Sequence, residues 1–76
     1  MIDLALLQQA IDERRLVSFD YVDKKGNATH RADNEAYEIK GGYLYAFCPV
    51  KQQIHSYLIG SMANLFVQED TYTPRW

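Results

Sequence analysis

The chain has one cysteine, Cys48, among 76 residues. No intramolecular disulfide can brace it, and no Cys/His cluster has zinc-site spacing, so no metal is expected. No apolar run approaches the length that spans a bilayer. The opening Met-Ile-Asp-Leu lacks the basic and apolar regions of a secretory signal, which makes a cytoplasmic location without membrane contact the expectation. Basic charge is also scarce. Eight Lys and Arg against ten Asp and Glu give a formal net charge of −2. That argues against general binding to a phosphate backbone while leaving room for a small local basic pocket. There is no Gly-rich phosphate loop and no nucleophile elbow. His30 and His55 fall on different predicted strands without metal-ligand spacing. Cys48 and His55 could form a nucleophile–base pair, but their seven-residue separation across a hairpin often places such residues on opposite faces. Neither catalysis nor a cofactor is expected.

What is present fits one globular domain, residues 1–76. The chain is 47% hydrophobic and 24% charged, a composition that excludes disorder, and its length supports one limited core. Six tyrosines, three phenylalanines and one tryptophan are the unusual feature. Tyrosine joins an apolar body to a polar handle and is enriched where a surface is half dry. Cys48, between Phe47 and Pro49, reads as a small buried hydrophobe.

Leu4, Leu7 and Ile11 follow helical spacing, with Asp3 as cap and Arg14-Arg15 suited to the C-terminal end of the dipole. A helix over about 3–14 follows. From Leu16 the period changes to two, with Val17, Phe19 and Tyr21 on one face. Turns at Lys24–Asn27, Gly41-Gly42 and Val50–Gln53 delimit strands over 16–23, 28–33, 36–40, 43–49 and 54–59. Gly60-Ser61 breaks the pattern with a bulge or helical turn before a last strand over 64–69. The tail, 70–76, is loose unless Tyr72 or Trp76 docks. One helix followed by five or six short strands predicts a mainly β fold, a small antiparallel barrel over about 16–69 that hides its edges by closing.

Both faces of the fourth and fifth predicted strands are apolar. Leu44, Ala46 and Cys48 oppose Tyr43, Tyr45 and Phe47; Ile54, Ser56 and Leu58 oppose His55, Tyr57 and Ile59. A sheet wet on one side alternates apolar and polar residues, so part of this aromatic face requires a ligand, a partner or a second copy of the chain. Tyr45 and Phe47, with Trp76 joining them, are the candidate contact residues.

The order helix, Val-x-Phe-x-Tyr strand, Gly turn, lone Arg, Gly turn, Tyr-Leu-x-Ala-aromatic strand resembles a WYL domain over about Leu6 to Pro74. That family takes its name from a Trp-Tyr-Leu tripeptide on a strand of an SH3-type, Sm-like barrel. Tyr43, Leu44, Ala46 and Cys48 match its motif; Phe47 and Tyr57 are aromatic replacements; Arg31 and Tyr21 match the upstream Arg and strand aromatic. The chain departs from the motif at Gly42 for Trp, Pro49 for His, Lys51 and His55 for Arg, and Gly60-Ser61 for Asp-Arg. The resemblance implies a module of bacterial transcriptional regulators that senses nucleotides, oligonucleotides or other anions, here in a divergent, stand-alone form. Guanidinium forks suit phosphate and aromatic rings stack bases. Arg31 would anchor charge, Tyr43 and Tyr57 would stack, Lys51 and His55 would assist, and Tyr21 would line the site. With one helix, and that one acidic at Asp12 and Glu13, direct reading of a DNA sequence is not expected.

Two functional expectations follow. The first is a non-catalytic regulatory module that associates with itself or binds a protein partner. The second is an effector sensor for a nucleotide, a short nucleic acid or another small anion.

Overall fold

The computed structural model describes residues 2–74. Its elements are helix α1 (Leu4–Asp12), strands β1 (Arg15–Val22), β2 (Ala28–Lys40), β3 (Tyr43–Cys48) and β4 (Gln53–Leu58), a 3-10 turn (Ile59–Ser61) and strand β5 (Met62–Thr71). The mainly β architecture with one N-terminal helix is as expected.

Asp3 starts α1 as anticipated. Its backbone is extended and its carboxylate accepts from the N–H groups of Ala5 (3.0 Å) and Leu6 (3.2 Å). Leu7, Ala10 and Ile11 are buried along one stripe, whereas Leu4, placed on that stripe by its spacing, is 48% exposed. Ile2, just before the cap, is buried with Leu7 in the core, the two positions of a hydrophobic staple. The helix stops earlier than expected because Arg14 takes a left-handed backbone, φ 57°, and its N–H donates to the Ile11 carbonyl at 3.2 Å. Arg15 is already in β1, where its Nε donates to the Gln68 carbonyl at 2.8 Å.

The strands form one antiparallel sheet in the order β4-β3-β2-β1-β5. Two corrections to the sequence expectation follow. The second and third predicted strands are one strand of 13 residues. Asp33 bends it with φ 55°, a conformation that Asp tolerates better than most residues, and the β2 ladders shift register between Val17 and Phe19 and between Ala36 and Glu38. The described residues therefore form five strands, the lower of the two expected numbers.

The sheet also curls without closing into a barrel. Phe19 and Tyr21 on β1 each lie 5.0 Å, ring to ring, from Tyr57 on β4, although β3 and β2 separate those strands in the ladder. Strands β4 and β5 remain edges. The Leu58 N–H, on the β4 edge, donates to the Tyr21 hydroxyl at 3.0 Å instead of to a closing strand. A side chain thus covers a backbone donor that strand pairing would otherwise satisfy.

The core gathers Val17, Phe19, Ala36, Leu44, Ala46 and Tyr57 from the sheet with Leu7, Ala10 and Ile11 from the helix. Period two placed Val17 with Phe19 and Leu44 with Ala46 correctly. Part of the tail is docked. The Tyr72 N–H donates to the Arg14 carbonyl at 2.9 Å, its hydroxyl donates to the Ala36 carbonyl, and its ring lies edge-on to Tyr37 at 5.4 Å. Nearby Glu35, 1% exposed, accepts from the Tyr37 hydroxyl at 2.7 Å. Trp76 lies outside the described residues.

Phe19 has no exposed surface and meets both the helix-side core and Tyr57. Replacing it by Ala is expected to cost about 3–5 kcal/mol, a large share of the roughly 5–15 kcal/mol that holds a small domain folded. Asp3→Ala is expected to cost about 1 kcal/mol, lowering the melting temperature by roughly 4–8 °C. Denaturant and thermal unfolding of the two variants check this ranking.

Candidate functional site

The ladder places Arg31 on β2 opposite Phe19, His55 on β4 opposite Ala46, and Tyr57 opposite Leu44. Alternation puts His55 and Tyr57 on one face, as their spacing predicted, and the burial of Tyr57 makes that face the core side of the sheet. The curl adds Arg31, whose guanidinium carbon lies 5.9 Å from the centre of the Tyr57 ring, within range of a cation–π attraction. Tyr57 is the hub of the cluster. Phe19 and Tyr21 meet it edge-on, at 80° and 73°, and the His55 ring is 5.9 Å away. Tyr57 is only 4% exposed, whereas Tyr21, His55 and Arg31 are half-buried.

Two side-chain nitrogens in this cluster, Arg31 Nε and His55 Nε2, are buried and have no hydrogen-bond partner among the described residues. Such groups are rare because each costs about 1–3 kcal/mol when desolvated without a partner. No carboxylate is among the groups that shift His55. Burial lowers its pKa below the ordinary 6.5, and the charges of Lys51 and Arg31 lower it further, so its neutral form predominates at pH 7. Burial pushes the Tyr57 phenol up, partly opposed by Arg31, which keeps it protonated at neutral pH. Lys51 is exposed in the turn between β3 and β4, near enough to act on His55.

Arg31, His55, Tyr57, Tyr21 and Lys51 are therefore brought into one region. Tyr43 is not. It pairs with Leu58, while Leu44 pairs with Tyr57, so Tyr43 lies on the outer face. Adjacent strand residues point to opposite sides, and the register, once known, excludes Tyr43 from a face shared with His55 and Tyr57. The same register corrects another expectation. Ala46 pairs with His55 and Cys48 with Gln53, so Cys48 and His55 share a face diagonally. They make no thiol–imidazole bond through Nε2, which has no partner.

Sequence reading missed Asn34. It is 1% exposed, and its Oδ1 has no partner among the described residues while Nδ2 donates to the Ala32 carbonyl at 3.3 Å. It sits in a polar stretch whose burial depends on the bend at Asp33, which gives no local signal. His30 belongs elsewhere, bonded to Asp20 at 2.9 Å on an exposed surface.

Tyr43, Tyr45 and Leu58 of the outer face, together with Tyr21, Val22 and Lys24, line an open groove of about 600 Å³. Tyr43, Leu58 and Val22 are each about 40% exposed. Tyr45 and Phe47 are half-buried, and Tyr21 belongs to both this groove and the Tyr57 cluster. Among the described residues no group of three His, Cys, Asp or Glu side chains could hold a metal ion, and no helix is long and apolar enough to cross a membrane.

A family model described as WYL domain matches residues 3–67. No curated protein and no solved structure matches the chain.

The depressed pKa of His55 has a stability consequence. Below the unfolded-state value near 6.5, the unfolded chain binds more protons at this site than the folded chain. Stability is therefore full above that value and falls as pH drops through it towards the folded-state value. Glu13, Asp20 and Asp23 have depressed pKa values too, but from ordinary values of 4.5 and 3.8, so they act at lower pH. Urea unfolding at a series of pH values should show stability declining as the pH falls through about 6.5, and His55→Gln should flatten that slope.

Proposed function

Because the chain belongs to the WYL domain family, a family of regulatory and sensing modules, we propose that it senses a small anionic effector, a nucleotide or short nucleic acid, where Arg31, His55, Tyr57 and Tyr21 meet. The observation that carries this reading is the pair of buried, unpartnered nitrogens, Arg31 Nε and His55 Nε2, beside an aromatic cluster. An anion supplies the acceptors that the protein does not, and converts two unfavourable groups into charge-assisted hydrogen bonds.

The rings divide the work. Tyr57 is too enclosed to stack a base; its face steadies the Arg31 guanidinium. Tyr21 and His55, half-buried, offer the rings against which a base can lie, and exposed Lys51 adds a point charge at the rim. The module acts without catalysis, in the cytoplasm, and without reading a DNA sequence itself.

The outer groove favours a second role, contact with a protein partner or another copy of the chain. Its exposed Tyr43, Val22 and Leu58 form an aromatic and aliphatic patch suited to an interface, and the half-buried Tyr45 and Phe47 follow Tyr43 along the same face of β3.

Thermal unfolding against mono-, cyclic and oligonucleotides tests the sensor. Ligand at about a hundred times its dissociation constant should stabilise the fold by about 2.7 kcal/mol, a rise of several degrees that Arg31→Ala abolishes. An unchanged melting temperature at millimolar concentrations of every member of the panel would refute the sensor. For the second role, sedimentation should show concentration-dependent association that Leu58→Lys weakens; a strict monomer at high concentration counts against self-association.

A further inference from the structure

The anion site is not fully charged before a ligand arrives. His55 stands on β4, with Ala46 opposite and Cys48 on the diagonal in β3, Arg31 reaching from β2, Lys51 in the β3–β4 turn, and Tyr57 on its own strand. The charges acting on it, those of Lys51 and Arg31, are both positive. Its Nε2 is buried and unpartnered. In the free protein all three conditions disfavour the imidazolium: burial removes water, the neighbouring cations repel a third, and no acceptor is present.

An anion reverses two of these conditions. Its charge offsets Lys51 and Arg31, and its oxygens supply an acceptor for a protonated ring nitrogen. Resting on the sensor reading above, we infer that capture is proton-coupled: an anion entering among Arg31, Lys51 and His55 draws one proton from solvent onto His55, so the third cation exists only in the occupied site. Arginine, found at this position in the family motif, is charged at all accessible pH and cannot behave this way. The replacement by His55 thus makes the site respond jointly to effector and to acidity. Affinity rises as pH falls between the values at which the free and the occupied protein take up the proton, and is flat outside them.

A short oligothymidylate without terminal phosphate is a suitable probe, because its phosphodiesters stay ionised throughout the range tested. Calorimetric titration of the whole chain from about pH 5.5 to about pH 8 should show affinity weakening by as much as roughly tenfold per pH unit, the slope for one linked proton. Repeating it in buffers of different ionisation enthalpy should register net proton uptake on binding, and NMR should show the His55 imidazole titrating at higher pH when the probe is bound. His55→Gln should bind with a flat pH profile. Binding by the wild type with constant affinity and no proton uptake overturns the coupling and leaves the sensor standing. A slope that persists in His55→Gln overturns the assignment to His55. No binding at any pH by the folded wild type overturns the sensor and the coupling together. The uptake measurement needs no variant, so it decides the matter even if His55→Gln fails to fold.

Discussion

The edge-on packing of Tyr57 against Phe19 and Tyr21 is the contact on which the rest of this structure depends. It joins the fourth strand to the first across two intervening strands, which only a strongly curled sheet permits. The curl creates a shared interior for the core residues of the helix and sheet. It also brings Arg31 over Tyr57 and the Tyr21 hydroxyl to the Leu58 N–H. Without this contact β4 would lose its ring packing against β1, and Arg31 would lose its place over Tyr57.

The same packing makes the site electrostatically unusual. A chain with net charge −2 draws positive side chains towards an aromatic hub and leaves Arg31 Nε and His55 Nε2 unpartnered there. Burial around Tyr57 excludes the water that would otherwise satisfy those groups. Low dielectric strengthens any charge-assisted contact made there and also lowers the pKa of His55. Tyr21 belongs both to this cluster and to the outer groove, so a change in either region meets the other at one side chain.

Much of the fold was legible in the sequence because it rests on local rules. Asp3 caps the helix by reaching N–H groups two and three residues away, and Gly26, Gly41 and Gly42 take the positive φ their turns require. Alternation placed Val17 with Phe19 and Leu44 with Ala46. Irregular points were less legible. Asp33 and Arg14 hold left-handed conformations that a glycine would have announced, so β2 read as two strands and the helix read too long. Tyr43 reads as a stacking partner of Tyr57 in sequence but lies on the opposite face, because the register of its hairpin depends on a turn in which Gln52 has φ 56°, again at a non-glycine residue.

By itself the sequence determined the helix, the strand periodicity, the turns and membership in the WYL domain family. It also narrowed the basic candidates to Arg31, Lys51 and His55. The tertiary structure alone decided which of the named residues share a face, that the edges stay open, that Tyr72 docks, and that Arg31 Nε, Asn34 Oδ1 and His55 Nε2 are buried without partners among the described residues. Periodicity and capping act between residues a few positions apart and leave their mark in any short window of sequence. Burial and electrostatic environment are set by strands far apart in the chain, and exist only once the sheet has curled.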